Sequence, residues 1–151
     1  MSLQDKVMQS MKEAMKTKDT VSLEALRAIR SELLLLQTEK GGKTDLPEEE
    51  EIKLLQRLVK QRKDSAAIFS EQGRNDLAEP ELAQAAVIEE FLPEQLSKEE
   101  IEVIVKEVIR QTEASSMADM GRVMGAANQK IAGRADGKTI ASIVKKELTS
   151  K

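Results

Sequence analysis

Residues 47–73 read PEEEEIKLLQRLVKQRKDSAAIFSEQG, and this stretch decides the fold. Pro47 needs no amide partner at a helix start, and Glu48 to Glu51 place negative charge at the positive end of the helix dipole. Ile52, Leu55, Leu58, Val59, Ala66 and Phe69 then recur at helical spacings and form one apolar face. Gly73 ends the run. The apolar residues follow the period of a helix throughout, with no strand-like alternation.

The same period extends in both directions. Upstream, Leu3, Val7, Met11 and Met15 follow the cap pair Ser2 and Asp5, which predicts a helix over 3–17. Lys18-Asp19-Thr20 turns the chain. Leu23, Leu26, Arg30, Leu33 and Leu36 predict a second helix with a buried leucine face, stopped near Lys40 by Gly41-Gly42. A short polar loop is expected from there to Leu46.

Downstream, a shorter helix is expected from Glu79 to Glu90, with Pro80 early in it and Phe91-Leu92-Pro93 closing it. Ser97-Lys98-Glu99-Glu100 is a capping box that opens a helix with Ile101, Ile104, Val105 and Val108 on one face. After a linker from Thr112 to Ser116, the pair Ser116 and Asp119 signals another cap. Met117, Met120, Met124, Ala127 and Ile131 mark the helix that follows, with Gly133 as its stop. Asp136 caps a last helix, which turns Ile140, Ile143, Val144 and Leu148 inward. The spacing of Gly121 and Gly125 predicts close packing of a neighbouring helix. The fold class is all-α and multihelical, with two small helical subdomains over 1–95 and 96–151.

Composition narrows the chemistry. A chain of 151 residues buries about 70% of its extended surface on folding, enough for a real core. That core is aliphatic, since there is no Trp, no Tyr and only Phe69 and Phe91. Without Cys there are no disulfides, thiolate metal sites or thiol nucleophiles, and without His the commonest general base and metal ligand is gone. Ser65 near Lys63, and Ser142 beside Lys145 and Lys146, have no base or oxyanion donors around them in the sequence. No catalytic residue, metal or cofactor is expected. The run Glu48 to Glu51 lacks the spacing of a calcium loop and reads as helix-terminal charge. No leader-like or membrane-spanning segment is apparent, which points to a cytoplasmic protein with no membrane partner.

Charge is unevenly spread. Residues 121–151 hold seven cations, Arg122, Lys130, Arg134, Lys138, Lys145, Lys146 and Lys151, against two acids, a net of +5, while residues 1–120 carry −8. Lys130, Arg134 and Lys138 surround the turn between the last two helices, a place where exposed amides and cations can receive a phosphodiester. A capped hairpin with a solvated basic face accounts for the same residues. A second basic patch, Lys60, Arg62 and Lys63 with Arg74 beyond the glycine, reads either as a phosphate contact or as internal pairing.

Several phrases resemble one family. Leu26-Arg27-Ala28-Ile29-Arg30-Ser31-Glu32-Leu33, the stretch Lys60 to Leu77, the junction Phe91-Leu92-Pro93-Glu94-Gln95-Leu96-Ser97, and Met120-Gly121-Arg122-Val123-Met124 through Lys138 look like the YqeY proteins. Phe91 stands where that junction carries Tyr. From about Ser97 onward the chain is also similar to the tail of the GatB subunit of the glutamine-dependent aminoacyl-tRNA amidotransferase, and to appendages of some glutaminyl-tRNA synthetases. The resemblance implies a non-catalytic, tRNA-binding accessory protein, or an interaction module docked on an amidotransferase (a carbon–nitrogen ligase using glutamine as amide donor) or on an aminoacyl-tRNA synthetase. It implies backbone contacts from Arg122, Lys130, Arg134 and Lys138, with Lys145 beside them on the last helix.

Overall fold

The computed structural model describes residues 2–41 and 46–150. They form α1 (Leu3–Thr17), α2 (Thr20–Glu39), α3 (Glu48–Glu71), α4 (Asn75–Glu89), α5 (Lys98–Thr112), a single 3-10 turn (Met117–Asp119), α6 (Met120–Ile131) and α7 (Gly137–Thr149). No strand occurs among the described residues, so the protein is all-α. The polar loop expected before Leu46 lies, except for its ends, outside the described residues, as does Lys151.

The chain divides into two compact units, Met1–Leu92 and Pro93–Lys151. In the first, α3 and α4 form a hairpin, α1 pairs with α2, and α2 also packs on α4. Its core holds Val7, Leu26, Ile29, Leu33, Leu55 and Ile88, all at 2% exposure or less. In the second, α5, α6 and α7 pack on one another around Val105, Val123, Ile131, Ile140 and Val144. Burying aliphatic side chains at roughly 1.5–3 kcal/mol each is the main force holding both cores.

Local signals place the helix ends. Ser2 and Asp5, Ser97 and Glu100, and Ser116 and Asp119 all form reciprocal capping boxes. Asp136 takes the amide of Thr139 at 2.6 Å to open α7. At their C-terminal ends α1, α5 and α6 finish on Lys18, Glu113 and Ala132, each in the left-handed conformation.

Three expectations need correction. α4 starts at Asn75, a full turn before Glu79, so Pro80 lies inside the helix. Met15 is 55% exposed, and Ala14 takes its place in the core, because a strict spacing of four outruns the 3.6-residue turn. Arg30 is exposed for a similar reason, and its neighbour Ile29 is fully buried.

Candidate nucleic-acid interface

The turn between α6 and α7 is built from chain reversal and capping. Ala132 and Gly133 both adopt positive φ, 47° and 81°, which swings the backbone out of α6. Ala135 is buried and anchors the turn on the core, and Asp136 caps α7. The cap carboxylate therefore already occupies the amide of Thr139, and its negative charge stands where a phosphate would approach.

Arg134 is held by the segment that enters the unit. Its Nε donates to the carbonyl of Glu94 at 3.2 Å, and its own carbonyl accepts from the amide of Leu96 at 2.7 Å. Gln95 Nε2 donates to the carbonyls of Gly133 at 3.1 Å and Pro93 at 2.7 Å. These bonds stitch residues 93–96 to the α6–α7 turn across nearly forty residues of sequence. Arg134 is half-buried and lies close enough to Glu100 to help hold that carboxyl below the usual carboxylate range, after the larger effect of the backbone and side-chain hydrogen bonds from Ser97.

The remaining cations of the unit fall into two groups. Arg122 pairs with Asp119 at 3.1 Å, Lys130 reaches Gln111 at 3.1 Å and Glu107 at 4.0 Å, and Lys146 lies 3.8 Å from Glu102. The amides of Ser115 and Ser116 together with Arg122 hold the Asp119 carboxyl low, the Ser115 amide most strongly. Lys138 and Lys145, by contrast, are exposed and have no ion-pair partner among the described residues. Seven residues apart, they share one side of α7 with an axial separation of roughly 10 Å.

Gly121 and Gly125 also sit differently from expectation. Their spacing predicts a packed neighbour, yet a Cβ at either position would meet nothing within 4 Å, and both lie on the exposed side of α6. They leave bare backbone open to solvent beside Arg122.

The second basic patch is satisfied internally. Lys60 meets Asp64 at 2.7 Å one turn on, and Lys63 meets Glu89 of α4 at 2.7 Å. Arg62 donates to Gln84 and to the carbonyl of Leu58, both at 3.1 Å. Arg74 grips both oxygens of Asp76 at 2.9 and 3.0 Å, which lowers the Asp76 carboxyl and raises the guanidinium. Sequence reasoning anticipated pairing with the acidic start of α3; the partners are instead Asp64 and residues of α4. Among the described residues, no group of three or more acids is placed to hold a metal ion, and no helix is long and apolar enough to cross a membrane.

The family model for Yqey-like proteins matches residues 4–148, spanning both units. The chain belongs to the YqeY family. It is 33% identical over 123 residues to a glutamyl-tRNA(Gln) amidotransferase subunit of Thermococcus gammatolerans, a match covering 76% of this chain and 20% of that protein. The corresponding protein of Thermococcus sibiricus is 30% identical over 120 residues, 77% of this chain and 19% of the relative. The chain thus spans about a fifth of the length of these relatives. A match over 76% of the chain exceeds the second unit alone, so the likeness takes in helices of the first unit as well as the stretch from Ser97 onward. The altered inheritance of mitochondria protein 41 of Clavispora lusitaniae is 34% identical over 82 residues, 54% of this chain and 46% of that protein.

Proposed function

We propose that this YqeY-family protein is a tRNA-binding accessory factor that carries no catalytic centre and works beside a glutamine-dependent tRNA amidotransferase. The observation that carries the reading is the unpaired couple Lys138 and Lys145 on the exposed side of α7. Cations already bound to carboxylates gain little from a phosphate, whereas free ones release counterions when they meet it. Arg122, next to the open backbone of Gly121 and Gly125, adds a second contact whose partner Asp119 is only partly buried. Lys130 and Arg134 flank the site, Arg134 with one donor committed to the linker carbonyl. With no aromatic side chain in α5–α7, the contact is to the backbone and shape of the RNA, not to its bases. The names of the Thermococcus relatives support tRNA as the RNA and an amidotransferase as the setting.

The test is tRNA binding over a salt series. Wild-type protein is expected to lose affinity steeply with salt, and the Lys138→Glu, Lys145→Glu variant to flatten the log–log slope by about 1.5, as two lost backbone contacts require. No binding at low salt, or an unchanged slope in the variant, rejects the proposal.

The same relatives favour a companion reading in which the chain docks on an amidotransferase or synthetase as a protein module. Co-purification of a defined amidotransferase subunit with a protein that fails to bind tRNA would select it.

A further inference from the structure

The outer face of the α1–α2 hairpin carries another cationic surface. The helices run antiparallel, with their register marked by the hydrogen bond from Gln37 Nε2 to Gln4 Oε1 at 3.2 Å. Equal rise along both helices then sets Lys12 nearly level with Arg30, and Met15 with Arg27. Lys12, Lys16, Arg27 and Arg30 are all exposed, and among the described residues none of the four has an ion-pair partner.

The acids of the hairpin are engaged elsewhere. Glu24 accepts from Gln84 of α4, Glu32 from Arg57 of α3, and Asp19 caps α2. Glu13 lines a groove of about 340 Å³ on the other flank of α1, together with Asp19 and Glu90. A unit with 14 Lys and Arg against 18 Asp and Glu therefore presents one face that is positive. Apolar side chains sit among those cations: Met15 is 55% and Leu34 42% exposed.

This mixture discriminates between partners. A nucleic-acid backbone engages cations but gains nothing from a thioether or an isobutyl group, and α1 and α2 hold no aromatic ring to stack a base. Exposed Met and Leu between cations fit the apolar stripe and acidic flanks of a helix laid along the hairpin, and methionine adapts its shape to such a partner. We propose that the outer face of the α1–α2 hairpin docks an acidic amphipathic helix of a partner protein. The inference rests on the first unit alone and stands whether or not the second unit binds tRNA.

Two synthetic peptides test it against the full chain by fluorescence anisotropy. Both carry leucines at i, i+3, i+4 and i+7; one has glutamates and the other lysines at the remaining positions. The wild-type protein is expected to bind the glutamate peptide at least about tenfold more tightly than the lysine peptide at low salt, and the Lys12→Glu, Arg30→Glu variant to reverse that order. The neutral variant Lys12→Gln, Arg30→Gln, checked for intact helicity, is expected to lose the preference without reversing it, and Leu34→Ser to weaken the glutamate peptide alone. An unchanged preference in the charge-reversed variant overturns the proposal. So does loss of tRNA binding by that variant with peptide binding intact, which would assign the face to RNA.

Discussion

Two cationic stretches of this chain have similar composition and opposite outcomes. Lys60, Arg62, Lys63 and Arg74 each meet a carboxylate or an amide within 3.1 Å, because α3 lies along α4 and the acids and amides of the hairpin come within their reach. Lys138 and Lys145 meet none among the described residues, because Glu147 is the lone acid of α7 and is partly buried. Counting cations therefore does not locate an anion site. What remains after internal pairing does, and on that measure the α7 side outranks the α3–α4 patch despite carrying fewer charges.

The comparison is most exposed to paired charge reversals. Lys138→Glu with Lys145→Glu is expected to lower tRNA affinity at low salt by about ten- to a hundredfold, and Lys60→Glu with Lys63→Glu by less than about threefold. Equal losses from both pairs, read by filter binding, would erase the distinction. Next in size is the stitch at the α6–α7 turn. Arg134→Ala is expected to destabilise the second unit by about 1–2 kcal/mol and to speed hydrogen exchange at the Leu96 amide, while Arg62→Ala acts only on the first unit. Exchange at Leu96 that stays as slow as in wild type would show that Arg134 is free to act as an RNA contact alone.

The glycines give a smaller and opposite pair of effects. Gly125→Ala, mid-helix with open space around it, is expected to raise stability by about 0.5–1 kcal/mol, and Gly73→Ala, at φ 73°, to lower it by a similar amount. Thermal melts decide the signs, and a Gly125→Ala protein that is more stable yet binds tRNA less well would place the RNA backbone against α6. Acid has the smallest effect and falls on both units. Asp19 and Asp76 in the first, and Glu100 and Asp119 in the second, have carboxyls held low by their caps and partners. A depressed folded-state value means stability that is full above the unfolded carboxyl range near about pH 4 and is lost as pH falls through the folded value. Melting points should hold steady from about pH 6 to 5 and decline only below about 4; a drop already at higher pH would point to some other titrating group.

Much of the fold was legible because its signals are local. Capping pairs lie three residues apart and apolar stripes three or four, so Ser97 with Glu100 and the Ile140, Ile143, Val144, Leu148 face could be read directly. The start of α4 was not, because Pro80 imitates a first-turn residue and Arg74 supplies no side-chain cap before Asn75. The candidate site was legible only in outline. Lys60 and Asp64 are one turn apart and announce their pairing, but Lys63 and Glu89, or Lys130 and Glu107, meet only through the packing of separate helices. Which cations stay free is thus a tertiary property, and so is the positive face of a hairpin within an acidic unit. Gly121 and Gly125 show the same limit, since their spacing is that of a packed seam and only the structure shows nothing packed there.

The helix ends at Lys18, Glu113 and Ala132 have a practical consequence. Each holds a non-glycine residue in a left-handed conformation that disfavours L side chains by roughly 1 kcal/mol. Glycine at these three positions would build a hardier parent protein without altering any outward-facing charge of α7, the α3–α4 patch or the α1–α2 hairpin. Charge reversals introduced into that parent could be assayed at elevated temperature, where a weakened binder and an unfolded one are readily told apart.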